Sequence, residues 1–146
     1  MDNRSKEARS KNMSNIKSSG TKPEEAVRKY LFNQGFRYRK NVKKLAGRPD
    51  LVLSKYRTVI FVNGCFWHGH EGCKYFVMPK TNVEFWTNKI EYNQKRDKEN
   101  HRKLEDIGWT VLLIWECEIR HGDKDKALKE LMYKIKFSDS KKRRID

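Results

Sequence analysis

Residues 63–73, Asn-Gly-Cys-Phe-Trp-His-Gly-His-Glu-Gly-Cys, carry two thiols, two imidazoles and two large aromatic rings within eleven positions. Packing explains that density poorly. Cys65, Cys73 and the histidines between them sit close enough to converge on a metal ion, and Gly64, Gly69 and Gly72 supply the turns that chelation needs. The one remaining thiol in the chain is Cys117. An odd cysteine count makes a poor disulfide framework, whereas three thiolates and one imidazole complete a closed tetrahedral site of the kind zinc prefers, with no position left for substrate. By spacing alone the imidazole is His70 or His68. The alternative is that the cysteines are separate small hydrophobes in the core, an alternative most open for Cys117.

The chain has 146 residues, with 34 Lys and Arg against 19 Asp and Glu, for a formal net charge of +15. That length suits one domain with a real core, and that charge suits a polyanionic partner. A targeting arm, a ribosome-associated module or a membrane-surface protein would share the charge. No apolar run approaches the roughly 20 residues of a spanning helix, and Met1–Lys6 lacks the apolar segment of a secretory signal, so an intracellular protein without a membrane role is expected. Phe66 and Trp67, on a glycine-flanked loop of a basic chain, suit stacking on nucleic-acid bases.

Residues 1–20 are polar and basic, with Met13 and Ile16 as the large apolar exceptions, and read as an arm that contacts a partner. Thr21-Lys22-Pro23-Glu24 has the form of a helix start, Thr21 as N-cap and Glu24 at the capping-box position, with Val27, Tyr30 and Leu31 following at helical spacing and Gly35 as the stop. Phe36–Val42 alternates as a half-buried strand would; Leu51–Leu53 and Thr58–Val62 form a hairpin across the polar turn 54–57. Thr81 repeats the capping logic and opens a helix to about Ile107, stopped by Gly108. Trp109–Trp115 predicts a buried strand, and Lys124–Lys136 an amphipathic helix. The order predicts a mixed β-sheet flanked by helices: an arm over 1–20, a domain over 21–137 and a basic tail over 138–146.

Hydrolysing a phosphodiester calls for a hard cation held by carboxylate. Asp50, fixed behind Pro49 at the start of one hairpin strand and near the end of the other, is the best-placed carboxylate, although a Pro-Asp pair alone more often marks a turn. Gly47-Arg48-Pro49-Asp50-Leu51-Val52 followed by Ile60-Phe61-Val62-Asn63-Gly64-Cys65-Phe66-Trp67-His68 resembles the very short patch repair (Vsr) endonucleases, which nick DNA at a T:G mismatch left by deamination of 5-methylcytosine. The resemblance begins at Arg9–Met13, takes in Glu24, continues through Glu84–Asp97 and ends near Trp115-Glu116-Cys117. It implies an α/β, restriction-endonuclease-like fold with a mixed β-sheet core, a structural zinc and a catalytic magnesium.

Position by position, the resemblance implies that Asp50 and the main-chain carbonyl of Val62 hold magnesium, that His68 is the catalytic imidazole, and that Glu24 orients His68 or a water. A near-neutral imidazole suits proton transfer. It implies zinc on Cys65, His70, Cys73 and Cys117, which leaves His68 free. The best-known member has Thr-His where this chain has Val62-Asn63; the Asn63 amide exchanges no proton near neutral pH, though its oxygen is still a ligand for a water or cation. The segment between Cys65 and Cys73 is also one residue longer.

Phe66, Trp67 and Trp86, with Met13 from the arm, match aromatic and apolar wedges that enter the duplex beside the mismatch, where unstacking costs least. Trp86 is also an ordinary core position for its helix. Lys89 and Asn93 share its helical face and are expected to reach bases or phosphates, while Arg9, Lys11 and the basic tail give salt-sensitive affinity. The expected partner is double-stranded DNA with a T:G mismatch, bound by a monomer in the cytoplasm at the nucleoid, with mismatch-repair proteins as candidate partners. Two other readings compete: a restriction-type nuclease acting on intact sites, and a zinc-braced DNA-binding protein without catalysis.

Overall fold

The computed structural model describes residues 22–145, with side chains through Ser138. Arg9, Lys11, Met13 and the expected N-cap Thr21 lie outside the described residues. Helix α1 spans Lys22–Asn33, with Glu24 and Glu25 in its first turn, where the helix dipole favours negative charge. Strands follow at Arg39–Lys40 (β1), Leu51–Leu53 (β2) and Thr58–Asn63 (β3). Helix α2 covers Val83–Asp106, strand β4 Thr110–Trp115, the short helix α3 Glu116–Arg120, and helix α4 Lys124–Ile145.

The four strands form a mixed sheet in the order β1-β2-β3-β4, antiparallel across the first two pairs and parallel between β3 and β4. The β2–β3 hairpin turns through a 3-10 turn at Ser54–Tyr56 and Arg57, whose φ of 52° closes it in the left-handed region. The parallel pairing of β3 with β4 requires a long crossover, and the 64–82 loop together with α2 provides it. Alternation along each strand divides the core in two. Leu51, Leu53, Ile60 and Ile114 face α1 and α4, packed with Val27, Leu31, Leu128 and Ile135; Val52, Val59 and Phe61 face the other way with Leu104 of α2. Helices therefore cover both faces of the sheet, as the order of elements predicts.

Both glycine stops are Schellman motifs. Phe36 N–H donates to the Leu31 carbonyl and Gly35 N–H to that of Phe32; Trp109 N–H and Gly108 N–H donate in the same way to Leu104 and Glu105. Gly35 and Gly108 have φ of 92° and 95°, which a β-carbon would strain.

Three boundaries differ from expectation. The predicted strand over Phe36–Val42 pairs only at Arg39–Lys40, because Phe36 is drawn into the helix side of the core. The second capping box does not form: α2 is capped by Asn82 in the left-handed region, with no side-chain capping bond. Helix α4 continues past Lys136 to Ile145, into the segment expected as a basic tail. Among the described residues no helix is long and apolar enough to cross a membrane.

Candidate active site and metal centre

Strand β3 runs out at Asn63, and the chain turns at once through Gly64. Successive N–H groups then fold the segment onto itself: His68 donates to the Gly64 carbonyl, Gly69 to Phe66 and His70 to Cys65. This coil places Cys65 and His70 on one side. Cys73 returns after a left-handed Gly72, with φ of 69°, and Cys117 arrives from the first turn of α3, because β4 runs parallel to β3 and ends beside it. Their ligand atoms all lie within 4.8 Å of one another. Metal–ligand bonds of about 2.0–2.3 Å put tetrahedral donors roughly 3.3–3.8 Å apart, so the donor set and its spacing fit a structural zinc.

The thiols show the same fit electrostatically. Burial pushes the Cys65 thiol up to about 12, and burial likewise raises Cys117. For Cys73, what burial adds is outweighed by the Tyr75 N–H and the two neighbouring thiols, and its thiol is lowered. Three thiols in mutual contact resist ionising together, and a divalent cation removes that resistance. The centre is walled by two ring stacks: His70 on Trp115, with centroids 3.9 Å apart, and Tyr75 on His121, at 3.8 Å.

His68 points away from the thiols, toward α2. Its Nδ1 lies 2.6 Å from Asp97 Oδ2, a charge-assisted contact that sequence reasoning did not assign. A carboxylate on Nδ1 holds the proton there and leaves Nε2 as the exchanging nitrogen. Two more contacts from α2 fix the backbone on either side of His68. Asn93 Nδ2 donates to the Trp67 carbonyl at 3.0 Å, and Gln94 Nε2 to the Gly69 carbonyl at 2.8 Å. Asn93, expected to reach DNA, is only 5% exposed.

Asp50 sits where the sheet runs short of donors. Continuing the β2–β3 register past Leu51↔Ile60 would set Pro49 opposite Val62, and proline has no N–H to offer. The Asp50 carboxylate takes the place of that backbone partner, accepting the Val62 N–H at 2.7 Å. Since N–H and C=O of one strand residue point to the same edge, the Val62 carbonyl is turned toward Asp50 as well. Burial pushes the Asp50 carboxyl up to about 7; the Val62 N–H and the nearby His68 oppose the shift, and the Glu24 carboxylate adds to it. Glu24 is 1% exposed on α1 and pairs with Arg28 at 3.2 Å. Two carboxylates held close and partly dry are a fit for a divalent cation.

An open cleft of about 990 Å³ lies in front of these groups, lined by Glu24, Asn63, His68, Lys89, Asn93 and Arg96 among others. Asp50 is not in its lining and meets it through Val62. At its edge Phe66, Trp67 and Trp86 form one cluster, with centroids 5.1, 5.5 and 6.0 Å apart in edge-on or tilted contacts. Trp86 therefore belongs to the loop aromatics rather than to either core cluster. Lys89, one turn on, is exposed.

Comparison with known proteins gives this geometry a lineage. Residues 1–74 match the family described as DNA mismatch endonuclease Vsr. The chain is 54% identical over 109 residues to the type II nicking enzyme V.NmeAIP of Neisseria meningitidis, covering 75% of this chain and 77% of that one. It is 44% identical over 127 residues to the DNA mismatch endonuclease Vsr of Escherichia coli, covering 86% and 81%, and 44% identical over 107 residues to the type II nicking enzyme V.XorIIP of Xanthomonas oryzae, covering 73% and 78%. A sheet-end carboxylate, an imidazole oriented by a second carboxylate and a Cys₃His brace thus occur in a chain that belongs to the Vsr family of DNA-nicking endonucleases.

Proposed function

We propose that this protein nicks one strand of double-stranded DNA beside a T:G mismatch arising from 5-methylcytosine deamination, by magnesium-dependent phosphodiester hydrolysis. The observation that carries the reading is the continuity of residues 66–68: the aromatic cluster at the cleft edge and the Asp97-held imidazole are successive residues of one coil. A base step opened by Phe66, Trp67 and Trp86 brings its own phosphate to His68.

Asp50 and the Val62 carbonyl hold the magnesium, with Glu24 close enough to share the charge. When bound, magnesium supplies positive charge to the phosphate and a more acidic water. His68 exchanges a proton at Nε2 while Asp97 fixes Nδ1. Asn63, buried at the end of β3, contributes an amide that orients without exchanging a proton. Lys89 and Arg96 line the cleft as cations for phosphate, and Cys65, His70, Cys73 and Cys117 hold a structural zinc. The arm residues Arg9, Lys11 and Met13 add contacts to the same duplex. The enzyme works as a monomer in the cytoplasm at the nucleoid, with mismatch-repair proteins as candidate partners, since a single cut needs one site.

The test uses purified protein with magnesium on duplexes that differ only at one pair. Nicking confined to the T:G duplex, and abolished in Asp50→Ala and His68→Ala, is the expected result. Cleavage of both strands of the fully paired duplex would replace the reading with a restriction-type activity. Tight binding with no cut, unchanged in Asp50→Ala, would replace it with a binding protein.

A further inference from the structure

The nicking reading above leaves Gln94 without a role, although it touches the backbone between the two histidines that have one. His68 and His70 flank Gly69 and must serve different masters, the cleft and the thiol cluster. The residue between them is a left-handed glycine, with φ of 59°, and another glycine follows at 72. The coil's own N–H bonds from His68, Gly69 and His70 turn the chain, and contacts from α2 hold the carbonyls of Trp67 and Gly69. Gln94 Nε2 donates to the Gly69 carbonyl at 2.8 Å, one residue along α2 from the Asn93 amide on the Trp67 carbonyl and three before Asp97 on the His68 ring. One face of α2 thus grips residues 67, 68 and 69 in succession. The fit leaves no slack: a β-carbon at Gly69 would collide with the Gln94 amide and stand 2.7 Å from Ile90 Cγ2.

We propose that Gln94 is a positioning residue for the nicking reaction. By fixing the Gly69 carbonyl it separates the catalytic pose of His68 from the zinc-binding pose of His70, so that each ring holds its place without dragging the other. Asn93 and Asp97 set where His68 lies; Gln94 sets where the chain leaves it. The glycines permit the sharp turn between the rings, and the glutamine removes the freedom that the glycines bring. This inference rests on the nicking reading for its rate consequence, but not for its consequence at the metal.

The experiment compares Gln94→Met, which keeps length and bulk without a donor, with Gln94→Lys, which keeps an N–H donor, both loaded with zinc. The Met variant is expected to bind the T:G duplex with unchanged Kd, to lose about tenfold in kcat, and to release zinc to a chelator several-fold faster. The Lys variant is expected to recover most of both losses. A Met variant with wild-type kcat and zinc release overturns the proposal, and so does a Lys variant as impaired as Met, since bulk rather than the donated hydrogen bond would then matter. Equal losses in kcat and in DNA affinity also overturn it, as a general loosening of the fold. If the wild-type chain does not cut the T:G duplex, the nicking reading fails, and zinc release alone decides the role of Gln94.

Discussion

Two sides of one loop are held by opposite physics. On the thiol side, Cys65, His70, Cys73 and Cys117 converge on a point where a cation turns mutual repulsion into a stabilising bond set. On the cleft side, His68 and Asp50 are held by side chains and backbone from α2 and β3, and the groups there are kept in a state that costs stability: Asp50 is pushed up to about 7 by burial, with Glu24 adding to the shift. The brace is therefore a source of folding free energy and the catalytic side a sink.

The largest expected effect separates the two sides directly. Cys65→Ser, or stripping zinc with a chelator, should lower the thermal midpoint by roughly 10 °C or more, because the metal acts as folding energy. His68→Ala should leave the midpoint near wild type while removing nicking. Metal analysis with thermal unfolding reads both. A zinc-depleted chain as stable as the loaded one would break the contrast.

The second effect has the opposite sign. Asp50 has a folded pKa of about 7 against 3.8 unfolded, so the folded state holds the proton more tightly. Its contribution favours folding in acid and is lost as pH rises from about 4 through 7, by on the order of 4 kcal/mol across the window. Asp50→Asn should flatten this dependence and stabilise the protein at pH 8. Added magnesium should raise the wild-type midpoint at pH 8 and leave that of Asp50→Asn unmoved. Urea unfolding at several pH values, without and with magnesium, checks it; because His101, lowered by burial, adds a slope of opposite sign, the reading is the difference between the two chains, and a wild-type curve parallel to that of Asp50→Asn between pH 4 and 7 would mean that Asp50 is not strained.

Asp97→Asn should act more gently, lowering kcat by about 10- to 100-fold through the wrong His68 tautomer, as second partners of functional histidines do. Binding to the T:G duplex should hold. Single-turnover nicking beside a binding titration separates the two.

What could be read in advance follows the same division. The thiol side is local: two cysteines and the histidines lie within residues 65–73, and Cys117 follows an apolar run that reads as a strand, so the thiols are visible in the chain while spacing leaves His68 and His70 both open as the imidazole. The sheet is visible too, because the unbroken apolar runs in 51–53 and 58–62 call for cover on at least one face, and the structure covers both. Asp97 is not visible as the partner of His68, since it stands 29 residues away on a helix with polar residues on nearly every face, and only packing selects the face that meets the loop. The hold of Asn93 on the loop is not visible for the same reason. Helical spacing put Asn93 beside Lys89 and Trp86, but one face of α2 is turned onto residues 67–69, and the amide is used there. The Phe36–Val42 alternation likewise predicts more strand than forms, because Phe36 buries itself against Tyr56 and the helix side of the core.

The smallest effect tests the outer edge of that helix face. Lys89 and Asn93 lie one turn apart; Asn93 is buried against the loop, whereas Lys89 is exposed, lines the cleft and forms no ion pair among the described residues. A free cation at the lip of a cleft in a chain of net charge +15 meets phosphate before it meets base edges. Lys89→Ala should therefore weaken binding equally to T:G and fully paired duplexes and reduce the slope of log affinity against log salt by about 1. Nicking at saturating DNA should stay within about twofold of wild type, since a phosphate contact outside the cut serves binding alone. Affinities at four salt concentrations on both duplexes decide it. An unchanged slope with loss of T:G preference would instead make Lys89 a reader of the mismatch, and the helix would then divide between holding the loop at Asn93 and reading the base pair one turn away.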